Sequence, residues 1–134
     1  MRIIYLDNAA TTYPKPAPVL GEVYKCMSEY AANPGRGAHK MSIKAAECVY
    51  DARETLATLF GIKNPERIFF FKNATEALNT GMKGVLFGGD SLIISPMEHN
   101  SVYRPAKRLE KNGVKLYISN SLPDGIVRVS DIAE

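Results

Sequence analysis

At 134 residues, 46% of them hydrophobic and 23% charged, the chain has the makeup of a globular domain able to bury a core, which excludes disordered and collagen-like classes. Its 17 basic and 14 acidic residues leave a formal charge of +3 spread along the sequence, so no basic block points to nucleic acid. The apolar start is too short for a signal peptide and no segment is long enough to span a bilayer, so the chain reads as cytoplasmic, without a membrane partner.

Residues 3–6 are a brief extended apolar stretch, followed at 7–12 by small and hydrogen-bonding residues and then by Pro14, Pro16 and Pro18. Alternate prolines hold the backbone extended, so 7–16 is expected as a stiffened loop suited to lining a site. Leu20, Val23, Tyr24, Met27 and Ala31 then recur at helical spacing and predict an amphipathic helix from 18 to about 31. Residues 33–40 form a glycine-bearing loop that gathers Asn33, Arg36 and His39. Arg36 could hold a carboxylate bidentately, and His39 could donate a hydrogen bond or carry a proton. Ser42 is expected to cap the next helix, with Val49, Ala52, Leu56, Leu59 and Phe60 on its apolar face and Gly61 closing it. Cys26 and Cys48, one on each helix, lack the close pairing of zinc or redox motifs. They are expected to be buried free thiols, and no metal site is expected.

The central stretch is 67–76. Ile68, Phe69, Phe70 and Phe71 make a continuous apolar run, the pattern of a parallel strand covered on both faces. Asn73 suits an N-cap with Glu76 in the capping-box position, which starts a helix running from 74 to about 85. The first helical N–H groups, at Ala74 and Thr75, have no intrahelical partner and lie at the positive end of the helix dipole, where a phosphate can rest. Ala74 is small enough for close approach and the Thr75 hydroxyl can donate once more, while the Glu76 carboxylate would repel an anion unless it points back to Asn73 or to solvent.

A turn at Gly88 and Gly89 leads to a second buried strand at 91–95, then a polar loop at 97–101 and a helix carrying Val102, Ala106 and Leu109, with its start confined near Pro105. A third strand at 114–118 and a turn at 123–125 precede Ser130, an N-cap for a helix that has run only a few residues at Glu134, which reads as a fragment. Strand, helix, strand, helix, strand is a parallel α/β arrangement, read as one α/β segment over 1–134 with an N-terminal loop and two helices at 1–62 and a partial α/β unit at 63–134. Ligands of such sheets bind at the carboxyl ends of the strands, which places His99 beside a ligand whose phosphate rests on Ala74 and Thr75. A flat imidazole there suits stacking on an aromatic ring.

The run from Tyr5 to Thr12 (Tyr-Leu-Asp-Asn-Ala-Ala-Thr-Thr), residues 33–39, the run from Asn73 to Asn79 (Asn-Ala-Thr-Glu-Ala-Leu-Asn) and Glu98-His99-Asn100 together resemble the class V aminotransferase family of pyridoxal-phosphate enzymes, and most closely its cysteine desulfurases. The resemblance implies a three-layer α/β/α fold with parallel strands, the N-terminal third of the fold type I large domain. It implies pyridoxal 5′-phosphate as cofactor, with Ala74 and Thr75 on the phosphate and His99 on the pyridine ring. Asn8, Ala9 and Ala10 would line the substrate side, and Asn33, Arg36 and His39 the active site. The segment from Arg36 to His39 is similar to the Arg-Gly-x-His loop of the sulfur-mobilising branch, although Asn33-Pro34 before it belongs to the other branch.

Implied too are conversion of L-cysteine to L-alanine with an enzyme-bound persulfide, a role in iron–sulfur cluster assembly, a homodimer, and a sulfur-acceptor protein as partner. The family's Schiff-base lysine, its aspartate on the pyridine nitrogen and its sulfur-accepting cysteine have no match here: Lys72 corresponds to no family lysine, and Cys26 and Cys48 fall at helix positions. No catalytic residue is therefore expected in this chain, which by itself would be inactive. The same N-terminal third would serve another class V aminotransferase or lyase, such as a selenocysteine lyase or a serine or alanine aminotransferase. A non-catalytic module that binds a phosphate-bearing ligand or dimerises is the other reading.

Overall fold

The computed structural model describes residues 3–9 and 11–133, which divide at Ile68 and Phe69 into two compact units, taken here in turn. In the first, α1 (Ala17–Lys25) starts after Pro16 with Pro18 in its first turn, where a missing N–H costs nothing. It runs on as a π-helical turn, Cys26–Tyr30, so the predicted helix is present but changes its winding for its last turn. The long helix α2 (Lys40–Phe60) ends at Gly61 with φ 65°, a left-handed conformation that glycine adopts without Cβ strain, and Ile62 N–H returns to the Ala57 carbonyl at 2.8 Å. A short 3-10 turn, Pro65–Arg67, is capped by Asn64, whose Oδ1 accepts from Glu66 N–H at 2.9 Å.

Three expectations for this unit are corrected. The cap of α2 is His39, not Ser42; Ser42 is buried in the first turn, where its Oγ donates toward the Gly37 and His39 carbonyls. Of the predicted apolar face of α2, Val49 and Leu56 are half-buried while Ala52, Leu59 and Phe60 are exposed; the buried apolar positions are Ala45 and Ala57. The thiols are free but not buried: Cys26 is half-buried and Cys48 exposed, because Cys48 lies off the edge of that covered stripe. Cys48 Sγ accepts from the buried Tyr30 hydroxyl at 3.8 Å, and this bond, helped by burial, pushes the Tyr30 phenol up to about 12.

The second unit runs α3 (Ala74–Val85), β1 (Ser91–Ile94), α4 (Asn100–Lys111), β2 (Lys115–Ile118) and α5 (Ser130–Ala133). β1 and β2 are parallel neighbours, with Ser91 opposite Lys115 and Ile94 opposite Ile118, joined through α4. The α4 helix packs on α3 and on β2. Ile94, Ala106, Leu109 and Val114 are buried, so the core lies where α4 meets the strands.

Here too the sequence reading needs correction. Among the described residues the sheet has two strands, and 68–71 runs toward α3 without joining it. Phe69, Phe70 and Phe71 are exposed rather than covered on both faces, so a strongly apolar run does not by itself make a buried strand: β-propensity is a fit to a pleated, half-buried surface that the neighbours must supply. β1 and β2 are also not covered on both faces. Leu92, Ile94 and Leu116 are turned inward, whereas Ile93 and Tyr117 are exposed, the alternation of a sheet with one covered face, and that cover ends before Ile118, which is exposed too. Helix α4 begins at Asn100 rather than near Pro105, which lies inside it, and Asn100 and Ser101 belong to its first turn rather than to a loop.

Ser130 is the first residue of α5, not its cap; the stabilising group is Asp131, which accepts from the Arg128 backbone N–H at 2.9 Å and from the Arg128 guanidinium at 2.8 and 3.1 Å. These bonds from Arg128 hold the Asp131 carboxyl below its usual range. A depressed carboxyl contributes stability above its unfolded-state pKa and loses it as pH falls through the folded value. The protection factors of the α5 amides, with the intrinsic pH dependence of exchange divided out, should therefore fall as the pH drops below the ordinary aspartate range, and Asp131→Asn should remove that pH dependence.

Candidate functional site

The site in the second unit is built from two helix starts. Asn73, in an extended conformation, caps α3: its Oδ1 accepts from Glu76 N–H at 2.8 Å, and its carbonyl accepts from Ala77 N–H at 3.2 Å. That leaves the Ala74 and Thr75 N–H groups as the orphan donors of the first turn. Of the two directions open to the Glu76 carboxylate, it takes the outward one, pairing with Lys72 Nζ at 3.8 Å, which offsets its charge beside the helix end. Both partners are well exposed, so the pair adds little stability.

At the end of β1, Ser95 Oγ donates to Glu98 Oε1 at 2.9 Å and the chain turns to His99, the N-cap of α4. His99 Nδ1 accepts from Ser101 N–H at 3.1 Å and lies 3.0 Å from Ser101 Oγ. An Nδ1 that accepts from a backbone N–H carries no proton, so in the neutral ring the proton is on Nε2. The cap thus fixes both the tautomer and the ring's attachment while the imidazole remains exposed.

Thr75 and His99 line one cavity of about 410 Å³, together with Asn79, Lys83, Arg104 and Arg108. Ala74 opens α3 but does not line that cavity. The three cations were not singled out by the sequence, although Arg104 and Arg108 stand one helical turn apart on α4. The donor set fits a phosphomonoester: orphan N–H groups and a hydroxyl at the start of α3, three positive side chains, and an imidazole at the next helix start.

The remaining predicted residues belong to the first unit. Asn8 organises its loop, accepting from Tyr13 N–H through Oδ1 at 3.1 Å, while Tyr5 OH donates to the Thr11 carbonyl at 3.1 Å and the Tyr5 and Tyr13 rings meet edge to face at 5.5 Å. The loop is therefore stiff for more reasons than its prolines. Ala9 is exposed within it, and Ala10 lies outside the described residues. Asn33 Oδ1 accepts from Gly35 N–H at 2.9 Å, closing a local turn, and Arg36 is exposed. The His39 Nδ1 accepts from Ser42 N–H at 3.4 Å, so this imidazole, too, is a helix cap. A Cβ at Gly37 would meet the His39 ring and Ser42 Oγ at 2.9 Å, which explains why glycine stands there. A cavity of about 630 Å³ adjoins this loop through Pro34, Gly35 and Gly37, but Asn33, Arg36 and His39 do not line it.

Among the described residues no cluster of histidine, cysteine and carboxylate side chains could hold a metal ion, and no helix is long and apolar enough to cross a membrane. The family model for class V aminotransferases matches residues 4–134. The chain belongs to the class V aminotransferase family. Within that family it is 36% identical to a probable cysteine desulfurase of Methanothermobacter thermautotrophicus over 98% of this chain and 33% of the relative. A cysteine desulfurase IscS of Clostridium botulinum is 33% identical over 96% of the chain and 33% of the relative.

Solved structures agree. The apo cysteine desulfurase from Thermococcus onnurineus NA1 superposes with a TM-score of 0.82 at 33% identity, over 96% of this chain and 33% of that one. SspA in complex with cysteine superposes at 0.75 and 32% identity, over 87% of this chain and 34% of that one. The class V chain thus has the α/β fold of these enzymes and spans about a third of their length.

Proposed function

We propose that this chain is the cofactor-phosphate part of a pyridoxal-phosphate-dependent cysteine desulfurase, which converts L-cysteine to L-alanine and an enzyme-bound persulfide. The observation that carries the reading is the joint lining of one basic cavity by Thr75 and His99, at the starts of α3 and α4. In this reading the Ala74 and Thr75 N–H groups and the Thr75 hydroxyl bind the phosphate, Lys83, Arg104 and Arg108 balance its charge, and His99, held by Ser101, stacks on the ring. Pyridoxal phosphate, when bound, supplies an electron sink for the substrate's α-carbon. Asn8, Ala9, Ala10, Asn33, Arg36 and His39 are the substrate-side residues of the same reading, supported by the family match over 4–134.

Titration of the chain with pyridoxal 5′-phosphate, followed by its absorbance and induced circular dichroism, tests this. Saturable binding displaced by inorganic phosphate is expected, without a borohydride-trapped adduct at a unique lysine. No saturable signal up to millimolar cofactor contradicts the reading.

We further infer a cytoplasmic homo-oligomer that hands sulfur to an acceptor protein for iron–sulfur cluster assembly. What supports self-association is the exposure of Leu20, Val23, Tyr24 and Met27 along α1 and its π-helical turn, an apolar stripe that favours cover. Sedimentation over a range of concentrations should show reversible association; a concentration-independent monomer at high micromolar levels contradicts it.

A further inference from the structure

We infer that Asn79 is a positioning residue, which ties the start of α3 to the start of α4 and so holds His99 in register with Thr75. This rests on the reading that those two residues face the cofactor. The need for such a tie comes from Pro105. In a helix each N–H bonds the carbonyl four residues back, so a proline at 105, inside α4, leaves the Ser101 carbonyl without its helical donor. Ser101 is also the residue whose N–H and Oγ engage His99 Nδ1, so the undonated carbonyl belongs to the turn that holds the imidazole.

The missing donor comes from the other helix. Asn79 Nδ2 donates to the Ser101 carbonyl at 3.4 Å and to the Thr75 carbonyl at 2.9 Å. A primary amide carries two N–H bonds on one nitrogen, and here they serve two carbonyls, one in each helix start. Asn79 and Ser101 are both half-buried, and Pro105 is buried, so water is a poor substitute for the amide. Thr75, whose carbonyl takes one end of the tie, and His99, which Ser101 at the other end holds, line the same cavity as Asn79 itself. Asparagine suits this place because the shorter side chain of serine could not span both carbonyls and aspartate has no N–H to give.

The test is a cycle of variants of this chain: Asn79→Leu, Pro105→Ala and the two together. Alanine at 105 gives Ser101 its own helical donor, which makes the amide of Asn79 redundant. Asn79→Leu should shift the His99 imidazole resonances, speed exchange of the Val102 and Tyr103 amides that bond the His99 carbonyl, and weaken pyridoxal 5′-phosphate about three- to tenfold. With Pro105→Ala in place, the same change at Asn79 should move all three readouts much less. Should Asn79→Leu fail to fold, Asn79→Ala removes both donors without adding charge or bulk beside the cavity, and is read in the same way. His99 resonances that move no more than in an exposed control, Thr80→Val, or by the same amount in both backgrounds, overturn the inference. If the His99 and amide readouts follow the cycle but the parent chain binds no pyridoxal phosphate, the tie stands and the cofactor reading falls instead.

Discussion

Replacing Thr75 by valine should weaken pyridoxal 5′-phosphate by about 1–3 kcal/mol, roughly 5- to 150-fold in Kd, because it removes a hydroxyl donor to a charged group. Valine keeps the branched shape and does not disturb the Asn73 cap, whose acceptors serve Glu76 and Ala77 instead. The comparison is Thr12→Val, which removes the same hydroxyl from an exposed loop position in the first unit and should leave affinity unchanged. Binding isotherms of the two variants at one ionic strength decide it: equal losses, or none in either, contradict the assignment of the phosphate to α3. The salt dependence gives a second check, since Lys83, Arg104 and Arg108 line the cavity and their attraction for a dianion is screened as salt rises.

The largest effect on stability is expected from Leu109→Ala. Leu109 is 6% exposed and sits with Ala106 and Val114 where α4 packs on the strands, so truncation loses transfer energy and leaves a cavity, about 2–4 kcal/mol in all. Leu59→Ala, at a residue 72% exposed on α2, removes as many atoms and should cost less than about 0.5 kcal/mol. Urea denaturation followed by circular dichroism compares them. The small number of buried side chains in the second unit makes the first substitution severe, because few other contacts share the load.

How much of this was legible in the sequence follows from the range of the interactions. The start and end of α3, the Asn73 cap and the Gly61 closure are set by contacts within four residues, and each stands where the sequence places it. The run at 68–71 is not among the strands of the described sheet, because an apolar run does not say which neighbour will cover it: Phe69, Phe70 and Phe71 are exposed. The burial of Cys48 failed for a related reason, since helical spacing says which residues share a face but not how wide a stripe a neighbour will cover. The sequence offers His39 as a hydrogen-bond donor or proton carrier and His99 as a stacking ring; the structure adds that both are helix caps through Nδ1, a role histidine is seldom assigned from sequence. The basic lining of the cavity was missed altogether. Lys83 on α3 and Arg104 and Arg108 on α4 come together only once the two helices pack, although the one-turn spacing of the arginines was a signal available beforehand.

The central claim is that the starts of α3 and α4 together receive pyridoxal 5′-phosphate, and amide NMR of this chain during titration with the cofactor tests it most directly. The account predicts that the Ala74 and Thr75 amides and the His99 imidazole shift together along one saturable curve, with inorganic phosphate reproducing the amide shifts and leaving the imidazole little changed. Shifts confined to lysine-adjacent surface sites, or Ala74 and Thr75 amides that stay still while the cofactor binds elsewhere, would contradict it.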